Sequence, residues 1–319
     1  MRRRAALLSL GSALMSTSTR AHANERDLVR IVVPYAAGGQ TDSMARLLAE
    51  PMQKMLGRTV IIDNKPGASA LIATKYVQGS PPDSDTLLFH NSGFVALPML
   101  NKAATYSPTT DFDAVAMVGN SPNFLMVVDS VPAHSVAEFI AYAKTNPQGI
   151  DCGNSGINSG GHISAMLLEK MAGIKLNHIP YKGAEVTRAL LGGEVKMQVS
   201  VTTDSLNPYI RNGKIRMLGV ASLEPSVLAP NVPPIGNTLP GYVVDGWFGM
   251  LTSAHSPLEK REAMSKAIKA GLESPVVRER FTALYMDIIY QGPEKFGNSV
   301  KESEKFFRKI VDQLGLVPT

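Results

Sequence analysis

The sequence predicts an α/β protein built from two similar units, each with a mixed, mostly parallel sheet flanked by helices. Three observations carry this expectation. β-rich runs alternate with segments whose apolar residues recur at helical spacing. The order strand, glycine loop, helix, strand, Pro/Gly turn, helix occurs twice, with little identity between the copies. A chain of 319 residues is also longer than one typical hydrophobic core supports.

Residues 1–23 are expected to stand outside that fold. Arg2, Arg3 and Arg4 form a positive start, Ala5 to Met15 is an apolar run too short to span a bilayer, and Ala21-His22-Ala23 is an A-x-A cleavage site. This order is that of a secretory signal, with the general and the twin-arginine export routes both open. Arg2, Arg3, Arg4 and Arg20 account for most of the net charge of +5, so the remaining chain is nearly neutral. That balance speaks against nucleic acid or an anionic membrane surface as a partner. No later run is long and apolar enough for a transmembrane helix. The single cysteine, Cys152, cannot form an internal disulfide and lies too far from the leader to carry a lipid anchor. Its setting, Ile150-Asp151-Cys152, fits a small buried strand residue better than a catalytic thiol.

The first unit opens on the β-rich run Leu28 to Pro34, followed by the turn Ala36-Ala37-Gly38-Gly39. Thr41 and Asp42 supply cap and first-turn chemistry for a helix carrying Met44, Leu47, Leu48, Met52, Met55 and Leu56, which Gly57 ends. Pro51 inside this pattern is expected to kink the helix or to start a new one. Val60-Ile61-Ile62 is the next strand, Asn64 to Gly67 a turn, Ala70 to Gln78 a helix and Thr86 to Phe89 a third strand. A β-α-β-α-β order implies parallel strands joined by right-handed crossovers.

The second unit repeats this grammar. A short strand, Ile150 to Cys152, leads into the glycine- and serine-rich loop Gly153 to Gly161 and a helix from His162 to Ala172 that Gly173 stops. The strand Leu176 to Ile179, the turn Pro180 to Gly183 and a helix over Val186 to Leu191 follow. Val195 to Val201 and Ile215 to Val220 are further strands. Two apolar runs, Phe124 to Val128 and Trp247 to Leu251, are expected to cross between the units. Helices over Ala263 to Leu272, Val276 to Tyr285 and Pro293 to Leu314 carry mixed charge and fit a surface layer.

Each glycine loop joins the carboxyl end of a strand to the start of a helix. The first N–H groups of a helix have no partner within it, and the helix dipole adds positive potential there. Glycine permits close approach of a ligand to the backbone. Such a place binds anions without a cationic side chain, and ligands of open α/β sheets sit beyond the carboxyl ends of the strands. Two loops facing each other would hold an anionic ligand at both ends.

Other chemistries fit poorly. Gly153-Asn154-Ser155-Gly156 lacks the spacing of a G-x-S-x-G nucleophile elbow, and neither G-x-G-x-x-G nor a P-loop occurs. The histidines His90, His134, His162, His178 and His255 have no short metal-ligand spacing. His162 opens a helix directly after the second loop, so it is a candidate to line a cleft. An exported hydrolase using Ser155 or Ser159 with His162 has no visible group to orient the base. No catalytic residue, metal or cofactor is expected.

Further motifs lie in order along the chain: Pro34-Tyr35-Ala36-Ala37-Gly38-Gly39-Gln40-Thr41-Asp42, Asp63-Asn64-Lys65-Pro66-Gly67-Ala68, Gly153 to Gly156 through His162, Ile179 to Gly183, Gly213 to Val220, and Leu239 to Tyr242 with Trp247-Phe248-Gly249. Together they resemble the Bug family, the periplasmic substrate-binding proteins of tripartite tricarboxylate transporters. The resemblance implies a type II periplasmic-binding-protein fold, two lobes closing on a small carboxylate across a hinged cleft. Lobe 1 would hold residues 24–124 and 248–319, and lobe 2 residues 125–247. It implies Tyr35, Ala37, Gly38, Gly39, Thr41 and Asp42 as one wall, with Ser92 beside it, and Ser155, Asn158, Ser159 and His162 as the other. Thr202, Thr203 and Asp204 are further candidates. It also implies a monomer working with a large and a small integral membrane subunit, or one presenting its ligand to a sensor.

Asp83-Ser84-Asp85 replaces the family's usual D-G-Y, Lys196 its usual acid, and Val232-Pro233-Pro234 its V-P-T. Both glycine loops are untouched by these departures, which bear on ligand identity more than class. Asp42 is the one charge in the first loop. It either complements its own helix dipole, or meets a ligand amine or hydroxyl or repels a further carboxylate. The leader generates the first prediction: intact-mass analysis of the exported protein should give a chain beginning at Asn24, and a full-length or lipid-modified mass would refute it.

Overall fold

The computed structural model describes residues 28–157, 159–181, 185–203, 205–244 and 246–318. The expected leader, Asn158, Asp204 and the Lys182-Gly183 part of the second Pro/Gly turn lie outside the described residues.

The first sheet has the strand order β2-β1-β3-β10-β4, from β1 (Leu28–Val33), β2 (Thr59–Asn64), β3 (Thr86–Asn91), β4 (Phe112–Asn120) and β10 (Trp247–Ser253). β1 pairs in parallel with β2 and β3, whereas β10 runs antiparallel to β3 and β4. The crossovers are α1 (Gln40–Leu56) and α2 (Leu71–Gln78). The second sheet has the order β7-β6-β8-β5-β9, from β5 (Phe124–Val128), β6 (Ile150–Asn154), β7 (Leu176–Pro180), β8 (Met197–Ser200) and β9 (Ile215–Val220). Here β6 is parallel to β7 and β8, and β5 antiparallel to β8 and β9, with α5 (Gly160–Ala172) and α6 (Glu185–Leu191) as crossovers. The two sheets therefore share one topology, with β1 matching β6 and α1 matching α5.

The two apolar runs expected to cross between the units do not cross. β5 lies wholly in the second sheet and β10 wholly in the first, and every residue of both is buried. A strand bridging a gap would leave its amides and carbonyls without ladder partners, so the passage is made by loops next to them. Residues 121–123 carry the chain out of the first sheet, and the segment after Val244 carries it back. A further segment, after α9 (Pro275–Ala283), pairs with β4 through Asp287 and Gln291 and touches the second unit, where Thr202 donates to the Leu284 carbonyl at 2.9 Å and Phe124 packs edge-on against Tyr285.

Pro51 neither ends α1 nor starts a new helix; one helix of 17 residues runs through it. Tertiary packing outweighs the missing hydrogen bond, because α1 lies against α8 (Leu258–Glu273), with Pro51 close to Gly271. α10 (Pro293–Leu314) covers β4 and α3 (Gly93–Leu100), and Lys170 of α5 donates to the carbonyl of Gln313 near its end. β4, α3, α4 (Val136–Lys144) and α7 (Asn207–Arg211) carry no expectation above. α3 is almost entirely apolar and buried, so it has no polar face for periodicity to reveal.

The start of α5 is pressed against the second sheet. A Cβ added at Gly161 would lie 2.1 Å from the Val199 carbonyl oxygen, while one at Gly160 would meet nothing within 4 Å. Gly161→Ala should therefore cost about 1–3 kcal/mol, the usual price of overpacking, and Gly160→Ala should be close to neutral. Chemical denaturation of both variants checks this pair.

Candidate functional site

The first loop leaves β1 at Pro34 and enters α1 at Gln40. Ala36, Ala37 and Gly38 are exposed, whereas Thr41 and Asp42 are buried. Gly38 has a φ of +84°, which glycine adopts without strain. The Gly38 N–H donates to Asp42 Oδ2 at 2.9 Å. Arg46, one turn further along α1, donates to both carboxylate oxygens, from Nε at 3.0 Å and Nη2 at 2.9 Å. Asn64 Nδ2, at the end of β2, donates to Asp42 Oδ1 at 2.9 Å and to the Tyr35 carbonyl at 3.1 Å.

Asp42 is 2% exposed. Burial pushes its carboxyl upward, but the hydrogen bonds from Arg46, Gly38 and Asn64, with the Arg46 charge, hold it below its ordinary value. Its acceptor positions are filled by the protein, and it acts as the internal anchor that folds the loop.

Behind the loop, β3 brings up His90, Asn91 and Ser92. The Tyr35 phenol is hydrogen-bonded to the Asn91 side chain, and burial raises its pKa. His90 sits 5.7 Å from the rings of both Tyr35 and Phe94. His90 Nδ1 lies 2.8 Å from the Asn91 amide nitrogen and 2.9 Å from the Asn91 carbonyl oxygen. Ser92 is buried, and its N–H donates to the Trp247 carbonyl at 2.9 Å, at the point where the chain re-enters the first sheet.

The second loop leaves β6 after Asn154. Ser155 is exposed, and so is Ile157, at 64%. Ser159 is the N-cap of α5, its hydroxyl oxygen accepting from the His162 N–H at 3.3 Å. The His162 ring packs edge-on against His178 at 4.9 Å, and His178 Nε2 lies 2.9 Å from Glu169 Oε2. His162 is thus 9% exposed. Thr202 is fully buried, and its hydroxyl donates to the Leu284 carbonyl at 2.9 Å. Thr203 shares a hydrogen bond with Ser205 at 2.9 Å, and its carbonyl accepts from the Leu206 and Asn207 amides.

The structure therefore brings Tyr35, Ala37, Gly38, Gly39, Thr41, Asp42 and Ser92 together at one sheet's carboxyl edge, and Ser155, Ser159 and His162 at the other's. Sequence reasoning missed Arg46, Asn64, Asn91, His90, Gln40 and Ser121 as organisers of the first. Only Arg46 had a local signal, its i,i+4 spacing from Asp42. Neither loop carries Lys or Arg among the described residues, and Arg46 is paired internally. No side chain caps α1. The positive potential at both loops comes from helix starts. Among the described residues, no group of three His, Cys, Asp or Glu could hold a metal.

A family model described as the tripartite tricarboxylate transporter family receptor matches residues 44–316. The periplasmic binding protein BugD superposes with a TM-score of 0.82 at 30% identity, over 92% of this chain and 99% of that one. An R. palustris protein solved with adipate gives 0.83 at 29%, covering 92% and 98%. MatC from Rhodopseudomonas palustris with bound malate gives 0.80 at 27%, covering 89% and 98%.

Burial lowers the pKa of His90 to about 4 from its ordinary 6.5. The fold holds the ring neutral, so its contribution to stability is complete above pH 6.5 and is lost as pH falls through about 4. The loss amounts to about 3 kcal/mol at most. Burial, with the neighbouring His178, lowers His162 to about 4 as well, so its contribution falls in the same window. His90→Phe should flatten the fall in stability between pH 6.5 and 4, read by denaturant titration at stepped pH, and His162 should supply the remaining slope.

Proposed function

The chain belongs to the tripartite tricarboxylate transporter receptor family, and on that premise we propose that it captures a small carboxylate between its two glycine loops. It then delivers the ligand to the large and small membrane subunits of such a transporter. The carrying observation is electrostatic. Two topologically matched helix starts, at α1 and α5, present backbone donors in loops without a free cation among the described residues.

Tyr35, Ala37, Gly38, Gly39, Thr41 and Ser92 form one wall on this reading, with Asp42 holding that wall in shape. Ser155, Asn158, Ser159 and His162 form the other. The Ser159 oxygen accepts from the helix, but its O–H remains able to donate to a carboxylate. Residues 24–124 with 248–319 make one lobe and 125–247 the other, and the lobes close by hinge bending. The protein acts as a monomeric binding protein in the periplasm, without enzymatic turnover, after cleavage behind Ala23. Adipate and malate, bound by the related R. palustris proteins, set the range of ligands to try first.

The test is a thermal-shift screen of adipate, malate, citrate, glutamate and benzoate, followed by calorimetry. A ligand at a hundredfold excess over its Kd should stabilise the fold by about 2.7 kcal/mol. Gly39→Val is the informative variant. Gly39 has extended backbone (φ −75°, ψ 169°), and a Cβ there would lie 3.5 Å from the Ala36 oxygen, an ordinary contact. The variant should therefore fold yet lose binding at least about tenfold, because its branches block approach to the backbone. Gly156, at a φ of +132°, would confound folding with binding. A screen in which no carboxylate stabilises the protein, or a valine variant that binds like wild type, overturns the reading.

A further inference from the structure

The start of α1 is attached to the junction between the sheets by one side chain. Gln40, the first residue of α1, donates from Nε2 to Ser121 Oγ at 3.1 Å. Ser121 is 3% exposed and lies in the passage between β4 and β5.

That passage is where the chain's interlobe segments meet. Asn120 and Asp287 exchange backbone hydrogen bonds at 2.9 and 2.8 Å. The Asn123 carbonyl accepts from the Ala221 N–H, and the Ala221 carbonyl from the Val244 N–H, both at 2.8 Å. Ser226 donates to Asp287 Oδ1 at 3.2 Å. The two passages and the segment after α9 are therefore hydrogen-bonded into one unit, directly or through residues 221–226. Gln40, at the start of α1, bonds to this unit through Ser121. We infer that the Gln40–Ser121 hydrogen bond couples the placement of the first glycine loop to the angle between the lobes.

Gln40 is thus a positioning residue, acting through Ser121 on the hinge. A ligand can shift a two-state equilibrium only through contacts that differ between the states. This bond gives a shift in the first loop a mechanical route to the junction. The inference rests on the proposed carboxylate reading for its purpose, but its test needs no ligand.

Spin labels at Lys54→Cys on α1 and Arg188→Cys on α6 would report the interlobe distance. Both side chains are about three-quarters exposed, at 76% and 74%, and Cys152 is buried and will not label. Gln40→Met keeps the side-chain length and removes the donor. It should move or broaden the distance distribution measured without ligand, by pulsed electron resonance. Ser121→Ala should do the same, and the double variant should go no further than either single one. Distributions superimposable on wild type overturn the coupling, whether or not denaturation shows lost stability. So does a double-variant shift equal to the sum of the single shifts. Failure of the carboxylate reading would appear separately, in the ligand screen.

Discussion

The first glycine loop depends on one buried carboxylate. Asp42 is nearly out of contact with water, and a charge there is costly unless donors surround it. Its donors come from three elements: Gly38 in the loop, Arg46 on the same helix and Asn64 at the end of the neighbouring strand. Asn64 also holds the Tyr35 carbonyl, so the loop is pinned at both ends. The pairing has a further effect. Arg46, one turn into α1, is neutralised by its partner. What the loop shows to solvent is mainly backbone, at the positive end of a helix of 17 residues.

The duplicated topology explains why two such places exist. In each sheet, the second strand in order begins a crossover whose helix starts at the sheet's carboxyl edge. Each sheet also takes its antiparallel strand next to an interlobe passage: β10 after the return, β5 after the exit. The passages consequently lie beside the central strands, close to the loops, as the contact between Ser92 and Trp247 illustrates.

Much of this was legible in the sequence. The alternation of strands and helices and both glycine loops follow from local patterns, because turn chemistry and periodicity are local. What escaped was relational. Asp42 was visible as a charge at a helix start, but its role depends on Asn64, 22 residues away and brought near only by the parallel pairing of β1 and β2. Gln40 and Ser121 are 81 residues apart. The runs at β5 and β10 were recognised as strands and misjudged as crossings, since apolar content reports burial and not which sheet provides it. Pro51 followed its local rule less closely than its packing against α8.

The two helix starts are related by topology but not equal in chemistry. α5 carries a serine cap, so one of its free amides is satisfied from within. α1 begins at a glycine without a side-chain cap, leaving its first-turn donors to whatever enters the cleft. The second loop compensates with hydroxyls at Ser155 and Ser159 and adds the exposed aliphatic side chain of Ile157. A ligand spanning the two would meet bare backbone donors at one end and a mixture of hydroxyl and apolar surface at the other. Its two ends would then be recognised by different means. The first end would be read by charge and close approach, with little regard to the rest of the molecule. Discrimination among carboxylates would accordingly reside in the second loop, where side chains rather than main chain form the surface.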